Sequence, residues 1–407
     1  MTLFRKFGVE LEYMLVDAGT LDVLPAADRL LAAAAGEGAS DYENGAITWS
    51  NELVNHVLEF KTSEPATAWN GLAEIFQVNV QEANERLKKL GGCLLPTAMH
   101  PWMDPAREMQ LWPHENSEVY QAFHRIFDCR GHGWANLQSM HLNLPFEGDE
   151  EFGRLHAAIR AVLPLLPALA ASSPIVEGRF TGLADNRLEF YRQNSKKIPR
   201  VAGRVIPEPV FDAASYDREI FQPMYAQIAP HDPDGILQEE WLNARGAIAR
   251  FDRGAIEIRV LDVQECPAAD LAIAAVVLAT VRRLMDNDDL QPRLQALSVD
   301  QLEPIFRATL AEADKAVIRD EALLDCLGFF GESSLTTGEV WGSLVEWARL
   351  EEGIPAEFLP PLQVLGEQGP LSSRIAKRLA GECNREQIGK LYRQLANCLA
   401  RGEMFVP

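Results

Sequence analysis

Hydrophobic and polar positions alternate with a period of two in four separated stretches, which predicts strands. In "FGVELEYMLVD", residues 7–17, Phe7, Val9, Leu11, Tyr13 and Leu15 share one face. Glu10 and Glu12 share the other, and Met14 and Val16 continue it. "NELVNHVLEFKTSEP" predicts a strand over about 52–61, with Glu52 at its start and Glu59 near its end. "SMHLNLPF" predicts one over 138–145, with Met140, Leu142 and Leu144 opposite His141 and Asn143. "GAIEIRVLD" predicts one over 255–262, with Ile256, Ile258 and Val260 opposite Glu257 and Arg259.

Between these strands the period shifts to that of helices. "ATAWNGLAEIFQVNVQEANERLKKLGG" predicts a long helix ended by Gly91-Gly92, and "DEEFGRLHAAIRAVLPLLPALAASSP" a second. From Cys266 onward the pattern is mostly helical: the strongly apolar "ADLAIAAVVLATVRRLMD", then "SVDQLEPIFRATLAEADKAVI" and "SSRIAKRLAGECNREQIGKLYRQLANCLARG". Ser298 and Gln301 suggest a capping box. Strands scattered among helices with long connections predict an α+β fold, not regular βαβ alternation. The expected organisation is a sheet-and-helix core over 1–265 and a helical portion over 266–407 packed on it, the two forming one structural domain. Neither GxxxxGK[ST] nor a strand-linked GxGxxG is present, so no P-loop or Rossmann nucleotide site is supported.

Each predicted strand pairs an apolar face with a face carrying acid, imidazole, amide or guanidinium. A solvated sheet face is the simplest explanation. Such faces favour Thr, Lys, Ser and mixed charge, however, whereas these gather carboxylates and a histidine with Arg259 the only cation. Carboxylates brought close together repel one another, and divalent cations relieve that repulsion. An oxygen-rich ligand set suits Mg²⁺ or Mn²⁺. Glu52 and Glu59 are seven residues apart and would face opposite ways on an unbroken strand. Either a bulge separates them or Glu52 reaches in from the preceding loop. Asn55 and His56 read as structural.

Composition changes the picture mainly by exclusion. The 407-residue chain carries 59 acidic against 38 basic residues, a net charge of −21. That balance argues against binding to nucleic acid or anionic membranes. Six cysteines without CxxC or zinc spacing suit a reducing compartment. The N-terminus meets charge at once, and "AAIRAVLPLLPALAASSP" is interrupted by Arg160, Pro164 and Pro167. No signal peptide or membrane span is expected, and the protein is expected to be cytoplasmic.

"FGVELEYMLVD", "ELVNHVLEFKTSEP", "SMHLNLPF", "LAASSPIVEGRFTGLADNR" and "GAIEIRVLD" resemble, in this order, the glutamate–cysteine ligase type 2 family of carboxylate–amine ligases. The resemblance covers roughly residues 5–265. It implies a glutamine synthetase-like fold: a curved, mainly antiparallel sheet forming a funnel flanked by helices. It also implies ATP as co-substrate, two or three Mg²⁺ (or Mn²⁺) ions, amino-acid and amine substrates, and a homodimer. Metal-ligand roles are implied for Glu10, Glu12, Glu52, Glu59, His141 and Glu257. Arg259, beside Glu257, would contact the transferring phosphoryl group of ATP. Arg187 resembles the arginine that holds the substrate α-carboxylate, with Arg179 and Arg192 as alternatives and Asn143 as a further substrate contact. Two departures stand out: Leu11 replaces the middle acid of G-V-E-E-E, as alternation on a buried face requires, and His141-Leu142-Asn143 replaces H-x-H, a form closer to authentic glutamate–cysteine ligases that does not by itself fix a substrate. The histidines of the 100–132 region (His100, His114, His124, His132) have no zinc spacing and are expected to line or close the substrate mouth.

Such a family would form an amide, γ-glutamyl in type, by phosphorylating a carboxylate with ATP and letting an amine displace phosphate from the acyl phosphate. Carboxylates on a sheet would hold the metals, and an arginine would meet the developing charge. Three other readings compete: a guanidino kinase-like phosphotransferase on a related sheet, an ATP-independent metal amidohydrolase, and a non-catalytic relative that binds nucleotide or a partner.

Overall fold

The computed structural model describes residues 4–381 and 383–407. Eight strands form one sheet: β1 (Gly8–Asp17), β2 (Asp41–Asn44), β3 (Ile47–Asn51), β4 (Val57–Thr62), β5 (Gly92–Leu95), β6 (Ser139–Pro145), β7 (Ala247–Arg250) and β8 (Ala255–Asp262). Their order is β2-β3-β4-β1-β6-β8-β7, with β5 on the far end of β1, and every pairing is antiparallel. The fold is thus α+β with a mainly antiparallel sheet, as the alternation and scattered helices predict.

Three of the four expected strands lie within a residue or two of their expected bounds. The 52–61 stretch does not. Its strand begins at Val57, and Glu52 sits in the connection that follows β3. The loop alternative for Glu52 is therefore the correct one. Strands β2, β3, β5 and β7 were not expected. Asn44-Gly45, with Gly45 at φ +70°, marks the tight turn joining β2 to β3 and was the available signal. The other missed strands are four residues each, too short for alternation to stand out.

Helices cover the apolar face. They include α1 (Leu72–Lys88), α2 (Ser117–Phe127), α3 (Gly148–Val162), α4 (Asn186–Asn194), α5 (Pro267–Met285), α6 (Val299–Glu312) and α7 (Arg385–Arg401). Helix α1 ends before Gly91, whose φ of +78° glycine adopts without the strain a Cβ would bring. A Cβ on Gly92 would sit 2.5 Å from a Leu24 methyl, so the second glycine serves close packing. The second expected helix is shorter than its pattern. It stops at Val162, because Pro164 and Pro167 lack the amide hydrogens a continuing helix requires. The last stretch divides likewise into Leu371–Leu379 and α7, with Ala380 at φ +47° and Gly381 at φ +81° between. Ser298 and Gln301 form the full capping box of α6.

One hydrophobic cluster takes Leu11, Tyr13, Leu142 and Ile258 from the sheet together with Phe76, Ile159, Val277 and Leu310 from helices. Helix α5 is almost wholly buried within it. A second cluster packs Met14, Val16, Val57 and Leu95 against Leu371, Ile375, Ile388 and Tyr392. This explains the composition of β1. Met14 and Val16 share the parity of Glu10 and Glu12, but C-terminal helices cover that end of the face, so it must be apolar.

Candidate active site

The uncovered part of the polar face forms the floor of a cavity of about 720 Å³. Register brings its acids side by side. Glu10 lies opposite His141 on one neighbour and Lys61 on the other, and Glu12 opposite Glu59. Glu257 lies opposite Asn143 on β6. Glu52 reaches in from beyond β3. The residues Glu10, Glu12, Glu52, Glu59, His141, Glu257 and Arg259 all line this one cavity.

Hydrogen bonds fix the acids. His141 Nδ1 donates to Glu10 Oε2 at 2.8 Å, and Asn143 Nδ2 donates to Glu10 Oε1 at 3.0 Å. The Ser139 amide and hydroxyl donate to Glu12 Oε2 at 2.7 and 2.9 Å. Ser50 donates to Glu59 Oε1 at 2.6 Å, and Lys61 Nζ lies 2.9 Å from the same oxygen. His141 Nδ1 is also 3.6 Å from Glu257 Oε1. Arg259 Nε pairs with Glu257 Oε1 at 2.9 Å.

The electrostatics show charge that the protein itself only partly balances. Burial, then the neighbouring Glu12 and Glu59, push the Glu52 carboxyl well above the usual range. Burial also raises Glu12, against the pull of His141. Burial opposes ionisation of Glu10 as well, yet the His141 hydrogen bond leaves it below the usual range. Burial disfavours a charged His141, but Glu10, Glu12 and Glu257 together raise its pKa. Arg259 is half-buried, and its pKa is raised in spite of that desolvation, chiefly because Glu257 faces it.

Two groups have ligand atoms within 4.8 Å of one another: Glu12, Glu52 and Glu59, and Glu10, Glu59 and His141. Glu59 belongs to both. The donor set is mostly carboxylate oxygen, which fits hard divalent cations such as Mg²⁺ or Mn²⁺. The raised acids fit as well, since a cation there would favour their ionised forms.

The expected arginines separate clearly. Arg187 lines the cavity but is buried, with Nε 2.5 Å from Asp262 Oδ1 and both amino groups 3.3 Å from the Arg259 carbonyl. Arg179 is exposed on a two-residue strand and pairs with Glu177. Arg192 pairs with Glu189 on its own helix and lines a different surface groove. Arg179 and Arg192 are therefore set aside as contacts in this cavity, because their guanidiniums are held elsewhere. Asn143 serves Glu10 directly.

The 100–132 region also differs from expectation. It does cover the cavity, but through Asn116, Val119, Tyr120, Phe123 and Trp134. Its histidines turn away: His100 bonds the Leu21 carbonyl, His114 packs edge-on to Trp112, His124 accepts from the Cys129 amide, and His132 contacts Asn136. Gly133 lets this cover seat on α4, where a Cβ would come within 2.9 Å of the Phe190 carbonyl and Asn194. His56 and Asn55 bond the Ala135 carbonyl and Asp28. Sequence reasoning missed Lys61, Ser50, Ser139, Tyr191, Trp241 and Asp262. Lys61 was visible as the same-parity partner of Glu59; the others depend on long-range pairing.

Residues 6–328 match the glutamate-cysteine ligase family 2 (GCS2). An uncharacterized protein of Archaeoglobus fulgidus is 32% identical over 402 residues, covering 98% of this chain and all of that one. A Nocardioides protein with the provisional name glutamate–cysteine ligase 2-1 is 28% identical, over 69% of this chain and 68% of its own. Among solved structures, glutamate–cysteine ligase of Francisella tularensis, in complex with AMP, has a TM-score of 0.60 at 15% identity, covering 96% of this chain and 88% of its own. A bifunctional glutathione synthetase of Pasteurella multocida gives 0.61 at 14% identity, over 98% of this chain and 53% of that one. The fold is that of these two structures, and the family match places the chain in the carbon–nitrogen ligase class. It belongs to the glutamate–cysteine ligase family 2.

Among the described residues, no helix is long and apolar enough to cross a membrane.

Proposed function

We propose that this protein is an ATP- and Mg²⁺-dependent carboxylate–amine ligase, forming an amide of γ-glutamyl type through an acyl phosphate. The observation that carries the reading is the convergence of Glu10, Glu12, Glu52, Glu59 and Glu257 with His141 and Arg259 on one cavity floor. Magnesium bound there would neutralise charge on the triphosphate oxygens. Glu12, Glu52 and Glu59 would hold one ion, and Glu10, Glu59 and His141 another, with Glu257 beside the second group.

The chain's own groups supply the rest. In the first step a substrate carboxylate oxygen bonds to the γ-phosphorus as the bond to ADP breaks. In the second, the neutral amine bonds to the acyl carbon, phosphate leaves, and the amine gives up a proton. Arg259, held by Glu257, offers a planar fork to the phosphoryl oxygens as their charge spreads. Lys61 adds a second cation beside the shared Glu59. The Tyr120, Phe123 and Trp134 cover limits water, which would otherwise hydrolyse an acyl phosphate.

The test is ATP-dependent phosphate release across pairs of amino acids, with mass detection of the amide. Amide formed with stoichiometric ADP and phosphate supports the reading. Transfer of phosphate to a stable product would favour the guanidino kinase-like reaction, and ATP-independent hydrolysis the amidohydrolase.

A further inference from the structure

Resting on that reading of Arg259, we infer that Arg187 is a positioning residue that aims the Arg259 guanidinium by holding the backbone of a β-bulge. The pairing of β8 with β6 shifts between Ile258, opposite Leu142, and Leu261, opposite Met140. Arg259 and Val260 therefore stand against His141 alone. A bulge of this kind leaves a residue out of the ladder and redirects side chains. It also resets parity, so Asp262, not Leu261, joins the polar face opposite Ser139.

The Arg259 amide is bonded outward, to the Gly246 carbonyl at 2.9 Å. Its carbonyl is met by both amino groups of Arg187. The other arm of Arg187 is fixed to Asp262, and both side chains are essentially buried, at 2% and 0% exposure. Asp262 is itself held by the Ser172 amide at 2.8 Å and the Ser173 hydroxyl at 3.1 Å. A rigid strut thus runs from the Ser172–Ser173 turn through Asp262 and Arg187 to the Arg259 carbonyl. Glu257 holds the Arg259 side chain from the other direction. The Arg259 backbone is thus fixed at both its amide and its carbonyl, while its guanidinium is oriented by the ion pair with Glu257 at 2.9 Å.

Arg187→Lys keeps a charge opposite Asp262 but loses the arm to the Arg259 carbonyl. Displacing a catalytic group by about 1 Å can cost on the order of 100-fold. The expected result is a fall in kcat of about tenfold or more, with KM for ATP and for the amino acid held within about twofold. In an Arg259→Lys background the same change should cost little further, because the two act as one unit. The Arg259 Nε–H NMR resonance, assigned by its loss in Arg259→Lys, should shift in Arg187→Lys and in the isosteric Asp262→Asn.

A raised amino-acid KM at unchanged kcat would overturn the proposal in favour of direct carboxylate binding, as would multiplicative losses in the double variant. An Arg259 resonance unmoved in both Arg187→Lys and Asp262→Asn would overturn it whatever the kinetics. If the wild-type protein turns over no ATP while that resonance does shift, the strut stands and the ligase reading fails.

Discussion

Glu10 and His141 are direct partners across β1 and β6, and their side chains meet at 2.8 Å on the cavity floor. With Glu257 3.6 Å from the same ring nitrogen, the imidazole stands where a cation is needed between two acids. His141 thereby keeps its proton more tightly than usual, and a divalent ion would compete with that proton for the same ligands.

Metal addition should therefore stabilise the protein. Mn²⁺ or Mg²⁺ titrated at pH 7.5 should raise Tm by several degrees, by linkage to the folded state. Glu59→Gln, which touches both candidate groups, should remove most of that shift, whereas Glu52→Gln should remove only part. Equal losses in the two variants would contradict the shared role of Glu59.

Glu12→Gln and Glu257→Gln should each lower Mg²⁺-dependent ATP turnover by about 100-fold or more, the scale of losing a preorganised charge. Both changes are isosteric, so far-UV circular dichroism should stay native. Near wild-type turnover in either variant would remove that residue from the proposed machinery.

Arg259→Lys should lower kcat far more than nucleotide affinity, because a point charge cannot reproduce a planar two-pronged donor facing the phosphoryl oxygens. Single-turnover kinetics and equilibrium ATP binding separate the two effects. Proportionate losses in both would make Arg259 a binding group only.

Acid should destabilise the fold through histidines remote from the cavity floor. Burial is the main cause depressing His56 and His100 to about 4 and His156 to about 3. Above the unfolded value of about 6.5 all three are neutral in both states and contribute no pH dependence. Below it the unfolded chain takes up protons the folded chain refuses, so stability falls as pH drops towards the folded values. The slope approaches about 1.4 kcal/mol per pH unit for each group. Urea midpoints between pH 7 and 5 should record this, and His100→Gln should flatten the dependence.

The Arg374–Glu265 pair is wholly buried and also holds the backbone of Phe405. Arg374→Met leaves a carboxylate buried without its partner and should cost about 3–5 kcal/mol. The Arg374→Met, Glu265→Gln double variant should recover much of that loss in chemical denaturation.

Local pattern alone determined that β1, β6 and β8 are strands and which of their residues lie opposite the apolar core, because side-chain alternation is a property of consecutive residues. It also displayed the acids, His141 and Arg259 as one chemical vocabulary, and excluded a glycine-rich nucleotide loop. Tertiary structure decided what neighbours what. Glu52 enters from a connection, Ser50 meets Glu59 and Lys61 meets Glu10 through strand pairing, and the histidines of the covering segment face elsewhere. Above all, a register shift in β8 puts Asp262 on the polar face and gives Arg187 a backbone partner, while Arg179 and Arg192 stay outside. Register and bulges arise from contacts between residues far apart in the chain, so no local period encodes them.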